Sequence, residues 1–270
     1  MILAVDIGGT KTLLACFDEH GNLVKSQKFA TDQDYKKFIT EFEELIKTLG
    51  EHEYQAACIA IPGVVDRKHG RGISFGNLRW ENVPIEADVE KLINAPVIIE
   101  NDAKAGGFYE AGIIRNEFKK VLFITVGTGI GIAYIVDNII NETFGDRGGN
   151  RLLLEHQGKL VSWESFASGK AILRRFGKKA SDITDEKTWA TIAHDLALGV
   201  LELIALFDTD VIIFGGGVGS NFERFGNKLV TELNKYKTPL MPIPPVRKAK
   251  RPEEAVIYGC YELAKTKFGN

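Results

Sequence analysis

The sequence predicts an α/β protein made of two similar lobes, on three observations. Two glycine hairpins read alike: Leu3-Ala4-Val5-Asp6-Ile7-Gly8-Gly9-Thr10-Lys11, and Leu122-Phe123-Ile124-Thr125-Val126-Gly127-Thr128-Gly129-Ile130. They align without a gap, Leu3 on Leu122, Gly8 on Gly127 and Asp18 on Asp137. Each opens a series in which buried-strand patterns alternate with helical ones, and a charged stretch, residues 115–120, separates the two series.

In order, strand patterns are expected at 2–6, 12–17 and 23–29, with a turn at Asp18-Glu19-His20-Gly21-Asn22. Tyr35, Phe38, Phe42, Leu45, Ile46 and Leu49 recur at helical spacing, with Asp32 or Thr31 as N-cap and Gly50 as stop. A buried strand at 56–61 runs into Pro62-Gly63, a glycine-rich loop follows, then a helix near 85–93 and a strand at 97–99 ending in Glu100-Asn101-Asp102-Ala103. Asp102 stands where it would cap the next helix. After the second hairpin, a helix over 187–206 carries Trp189, Ile192, Ala193, Leu196, Val200, Leu203 and Ile204 on its apolar face. Val211-Ile212-Ile213-Phe214 enters Gly215-Gly216-Gly217-Val218-Gly219 ahead of a helix. A Pro-rich segment, 239–252, leads to a last helix. The expected lobes are 1–115 and 116–252, with the helix at about 253–270 packing back on the first.

Glycines let a turn approach phosphate oxygens closely, where backbone N–H groups, the Thr10 hydroxyl and Lys11 can donate. Asp6, at a strand end, suits Mg²⁺ held through water. Gly127, Thr128 and Gly129 form a second cradle without a cationic side chain. A carboxylate such as Asp102 at the end of a buried strand can take a proton from a hydroxyl during phosphoryl transfer.

Six segments in order resemble those of the ROK sugar kinases, within the sugar kinase/actin/Hsp70 superfold. They are Asp6 to Lys11, Pro62-Gly63-Val64-Val65-Asp66, Asn77-Leu78-Arg79-Trp80, Glu100-Asn101-Asp102-Ala103, Thr125 to Gly131, and Gly215-Gly216-Gly217-Val218. The resemblance implies two ribonuclease-H-like lobes of the actin-like ATPase superfold with an interlobe active-site cleft. It implies ATP and Mg²⁺ as cofactors, Asp102 as general base, and Gly215, Gly216 and Gly217 at the nucleotide. Gly63, Asn77, Asn101 and Asp102 would line the sugar site. Trp80 reads as packing and Glu100 as a structural neighbour.

The chain departs from that pattern after the second hairpin. It has no Cys between Cys58 and Cys260, so the family's structural zinc is not expected. Gly145-Asp146-Arg147-Gly148-Gly149 or Glu155-His156 stands where members carry a Glu-and-His segment, so His156 is a possible sugar contact. Trp163-Glu164-Ser165-Phe166-Ala167-Ser168-Gly169 resembles the segment of the second sugar-contacting Glu, which makes Glu164 a hydroxyl acceptor.

Composition narrows the classes further. The 270 residues are 44% hydrophobic and 26% charged with net charge −2, which argues against nucleic acid or an anionic membrane as partner. Cys16, Cys58 and Cys260 lie in apolar runs and are expected as buried thiols. A strand pattern begins directly after Met1, so neither a secretory signal nor an N-terminal DNA-binding domain is expected, and no stretch reads as a membrane span. His20, His52, His69 and His194 are assigned no function. The expected protein is cytoplasmic, a homodimer by resemblance, and phosphorylates a hexose, glucose to glucose 6-phosphate foremost. The alternatives are an amino-sugar acceptor, a polyphosphate donor served by Lys248, Lys250 and Arg251 or by Arg174, Arg175, Lys178 and Lys179, or a non-catalytic sugar sensor.

Overall fold

The computed structural model describes residues 1–50 and 53–269, so the reading of His52 lies outside the described residues. The chain divides into two compact units, Met1–Tyr109 with Val256–Asn270, and Glu110–Ala255. The division therefore falls some residues before the charged stretch at 115–120, inside a helix.

The first unit contains β1 (Ile2–Ile7), β2 (Lys11–Phe17), β3 (Leu23–Ala30), α1 (Tyr35–Leu49), β4 (Ala56–Ile61), β5 (Val64–Asp66), β6 (Arg71–Ser74), β7 (Glu81–Val83), α2 (Ile85–Ile93), β8 (Val97–Asn101) and most of α3 (Asp102–Ile113). Its main sheet has the order β3-β2-β1-β4-β8; β1 pairs antiparallel with β2 and parallel with β4, and β4 parallel with β8. The alternation along each strand sorts the side chains between two layers. Leu3, Val5, Ile7, Ile59 and Ile61 pack with Phe38 and Phe42 of α1 and Val89 of α2. Ile2, Ala4, Cys58 and Ala60 pack with Ala105 of α3 and with the last helix. By the same period, Asp6 points to the α3 side of the sheet.

The second unit continues with β9 (Lys120–Val126), β10 (Ile130–Val136), β11 (Ile139–Ile140), α4 (Gly148–Arg151), β12 (Leu153–His156), β13 (Lys159–Ser162), α5 (Trp163–Ala167), α6 (Gly169–Phe176), α7 (Glu186–Leu206), β14 (Val211–Gly215), α8 (Gly216–Gly219), α9 (Phe222–Asn234) and β15 (Val246–Lys248). Its sheet, β11-β10-β9-β14-β15, repeats the first: an antiparallel hairpin whose first strand continues into two parallel strands. Both units thus have the ribonuclease-H-like order, and the last helix, α10 (Ala255–Phe268), buries Ile257, Cys260, Tyr261 and Ala264 in the first. All three cysteines are buried and free.

Several local expectations are corrected. The N-cap of α1 is Asp34, whose carboxylate accepts from Lys36 N, while Asp32 accepts from Asp34 N and the Thr31 hydroxyl pairs with Thr12. The glycine-rich loop after β4 contains the three-stranded sheet β5-β6-β7. The Pro-rich segment contains β15, because its parallel partner β14 supplies the hydrogen bonds that its sequence does not advertise. Helix α7 is long and apolar enough, by length and composition, to cross a membrane. Its apolarity has a packing cause. Trp189, Ile192, Ala193, Leu196, Ala197, Gly199, Val200 and Leu203 are all buried, so the helix is covered on more than one side.

Candidate active site

In the first unit, the chemistry-bearing residues collect at the carboxyl ends of the parallel strands, where open α/β sheets place ligands. Asp6 lies near the end of β1, Pro62 and Gly63 follow β4, and Asp102 follows β8. The turn after Asp6 is closed by Gly8 N donating to Lys11 O at 2.9 Å and by Thr31 N donating to Thr10 O at 3.1 Å. These bonds leave the Lys11 and Thr10 side chains on an exposed turn. Asn77 packs against it: a Cβ on Gly9 would stand 2.9 Å from Asn77 Cβ. Gln33 holds the Asn77 segment by donating to Asn77 O and accepting from Arg79 N. Trp80 is packing, as expected. It is buried among Tyr35, Phe38 and Phe75, with its indole N–H on Asp32 O.

Asn101 performs the capping that sequence position suggested for Asp102. Its side-chain oxygen accepts from Lys104 N, three residues on, while Asp102 accepts from the adjacent Ala103 N. The Asn101 amide also donates to Gly63 O at 3.0 Å, so one side chain fixes the start of α3 and the loop after β4. Gly63 has φ +118, and a Cβ there would fall 2.0 Å from Ser74 O, so only glycine fits. Arg67, which sequence reading missed, adds a second tie. Its guanidinium grips the buried Glu100 carboxylate through Nε, at 3.0 Å, and through a terminal nitrogen. Glu100 is thereby a structural neighbour. Arg67 follows directly on Pro62-Gly63-Val64-Val65-Asp66, a position that offered a signal only in hindsight. Asp66 is bound to His69 through its backbone and ring.

The Asp6 carboxyl is pushed up to about 7, chiefly by burial and further by the Asp102 charge, with Lys28 opposing both. Two carboxylates at strand ends of one sheet therefore feel each other. A divalent cation beside them would relieve that repulsion, so the donor set fits Mg²⁺.

In the second unit the hairpin turn is closed by Gly127 N donating to Gly129 O at 2.9 Å. Gly169 N donates to Gly127 O at 2.7 Å, which brings the start of α6 to the turn. The Glu164 carboxylate accepts from Ile130 N at 2.9 Å and from the Asn150 amide at 3.3 Å. Glu164, read as a sugar contact, is thus seated on the second glycine turn. Gly216 adopts φ +79, with a virtual Cβ 2.6 Å from Val126 O and 2.7 Å from Thr125 Oγ1; the Gly215, Gly216 and Gly217 turn lies directly on the end of β9. The second hairpin turn and the turn at Gly215, Gly216 and Gly217 come together here. His156 is elsewhere in the unit. Its ring stacks on Phe166 at 4.1 Å, and its Nε2 is 3.4 Å from Asp195 Oδ1, a buried carboxylate that also binds Arg175 at 2.6 Å. Lys248 pairs with Glu223 and Arg251 with Glu254, so much of the expected basic groove meets local carboxylates. Among the described residues no three His, Cys, Asp or Glu side chains form a group able to hold a metal ion.

The model of the ROK family matches residues 2–267. The chain is similar to a glucokinase of Streptomyces coelicolor, 27% identical over 98% of each chain. It is similar to an N-acetylmannosamine kinase of Vibrio cholerae, 28% identical over 89% of this chain and 93% of that one. Its fold resembles that of a ROK family glucokinase from Streptomyces griseus in complex with glucose and AMPPNP, with a TM-score of 0.85, 24% identity and coverage of 98% and 99%.

Proposed function

The chain belongs to the ROK family, and from that premise we propose that it is a sugar kinase, transferring the terminal phosphoryl group of Mg·ATP to a hexose hydroxyl, with glucose to glucose 6-phosphate as the leading pair. The observation that carries the reading is the placement of Asp6 and Asp102 at the carboxyl ends of two strands of one sheet, beside the glycine turn after β1. One carboxylate suits the metal and the other the nucleophile.

Asp102 takes the proton from the sugar hydroxyl as the new P–O bond forms. Gly63, Asn77 and Asn101 supply hydrogen-bond partners to the sugar, and Glu164 accepts from a hydroxyl. Gly8, Gly9, Thr10 and Lys11, with Gly127, Thr128 and Gly129, donate to the phosphates, and Gly215, Gly216 and Gly217 receive the nucleotide. Asp6 would hold Mg²⁺, through water. The ion would offset phosphate charge as it shifts to the leaving oxygen. His156 we assign to the cluster with Phe166 and Asp195 rather than to the sugar. We place the protein in the cytoplasm as a homodimer, which light scattering checks by mass.

An N-acetylated amino sugar is the second acceptor class, favoured by the N-acetylmannosamine kinase being as similar as the glucokinase. A coupled assay over hexoses and N-acetylhexosamines, each with Mg·ATP or polyphosphate, tests both. Turnover of glucose with ATP is expected. Turnover confined to an N-acetylhexosamine moves the acceptor, turnover confined to polyphosphate moves the donor, and none with any pair removes the kinase reading in favour of a sugar sensor.

A further inference from the structure

We infer that Glu110 is a positioning residue for the nucleotide turn at Gly215, Gly216 and Gly217, acting through the segment 249–252; this rests on the nucleotide reading of that turn. Glu110 lies on α3 and is 2% exposed. Its two carboxylate oxygens accept from consecutive backbone groups, Lys250 N at 2.7 Å and Arg251 N at 2.8 Å. The next residue accepts in turn: Pro252 O takes the hydrogen bond of Gly216 N at 2.6 Å. The other end of the segment is tied by Ala249 N to Phe214 O at 2.8 Å, on the strand that enters the glycine turn.

The segment is thus a strap with the glycine turn on one side and Glu110 on the other. Past the bond of Ala249 N to β14 it leaves the sheet, and an open cavity of about 480 Å³ lies along it, lined by Ser220, Lys250, Arg251, Pro252, Glu253 and Glu254. A buried carboxylate on two adjacent N–H groups makes charge-assisted bonds, stronger than the neutral backbone bonds on the rest of the strap. It fixes where the Pro252 carbonyl points and hence how Gly216 is seated. Gly216 is already in a left-handed conformation against Val126 O and Thr125 Oγ1, so a displacement of the strap, passed on through Pro252 O, has little room to be absorbed there without moving the turn. Glu110 does not touch the turn itself.

The test is calorimetric titration of Mg·ATP into wild type, Glu110→Gln and Glu110→Ala, with thermal melts, followed by steady-state kinetics on the best acceptor. Gln keeps the size and one acceptor, which guards against an Ala variant that fails to fold. We expect the Kd for Mg·ATP to rise about threefold in Gln and about tenfold or more in Ala. KM for ATP should rise in step while KM for the sugar stays within about twofold. Melting temperatures that fall with no change in Kd would show Glu110 to be structural only, and overturn the inference. So would equal rises in both KM values. A wild type that binds no Mg·ATP would overturn the nucleotide reading and this inference together. One that binds, with variants binding equally, would overturn the inference alone.

Discussion

The two glycine hairpins share a backbone and differ in what surrounds it. The first carries Asp6 on its leading strand and Lys11 in its turn, and burial, with the Asp102 charge adding to it, raises the Asp6 carboxyl to about 7. The second has no charge in its turn. It is held by backbone, through Gly169 N on Gly127 O and the close seat of Gly216, and by one outside carboxylate, Glu164 on Ile130 N. One supersecondary unit therefore serves two ends: concentrated charge in the first copy, and oriented neutral donors in the second.

The largest effect separating the copies is expected from Asp102→Asn. A lost general base should lower kcat about a hundredfold to ten-thousandfold, with Mg·ATP binding and melting temperature close to wild type. Activity within threefold of wild type would remove Asp102 as base. Next is Asp6→Asn. If Asp6 holds the ion through water, the apparent Mg²⁺ affinity in a metal titration of the assay should fall about tenfold to a hundredfold.

The same residue gives a pH signature. The folded protein keeps a proton on Asp6 that the unfolded chain releases near 3.8, so between about pH 4 and 7 the native state binds more protons. Stability then falls as pH rises through that window, by roughly 4 kcal/mol at most, and levels off above 7. Melts of metal-free protein should show this slope, and Asp6→Asn should flatten it. An unchanged slope in the variant would assign it to other groups.

A smaller effect tests the glycine frame. Gly63→Ala forces a Cβ against Ser74 O at φ +118 and should cost on the order of 3 kcal/mol, read as a melting temperature lower by about 5–10 °C. Gly127→Ala meets nothing within 4 Å, so it should leave melting within about 1 °C and raise only KM for ATP. A large loss of stability there would mean that the second turn is strained like the loop after β4 rather than free for a ligand.

Much of this was legible in the chain. Hairpin strands, α1, α2, α7 and both glycine turns were readable because their periodicity and punctuation are local. What escaped reading was held by distant partners. The strand β15 exists because β14 lies beside it, the cap of α3 falls to Asn101 because Asn101 also reaches Gly63, and Arg67 and Glu110 act on residues 33 and 140 positions away. The extent of the burial of α7, which gives it a membrane-like composition, likewise depends on distant partners.

By itself, the sequence determined the order of elements, the duplication and the residue types at the strand ends, because strand period, turn chemistry and motif spacing are properties of neighbours along the chain. Only the tertiary structure decided that Asp6 and Asp102 share one electrostatic environment and that Glu164 sits on the second glycine turn. It alone decided that His156 stacks on Phe166 beside Asp195. Burial, charge coupling and hydrogen-bond partners depend on distance in space, which sequence spacing does not carry.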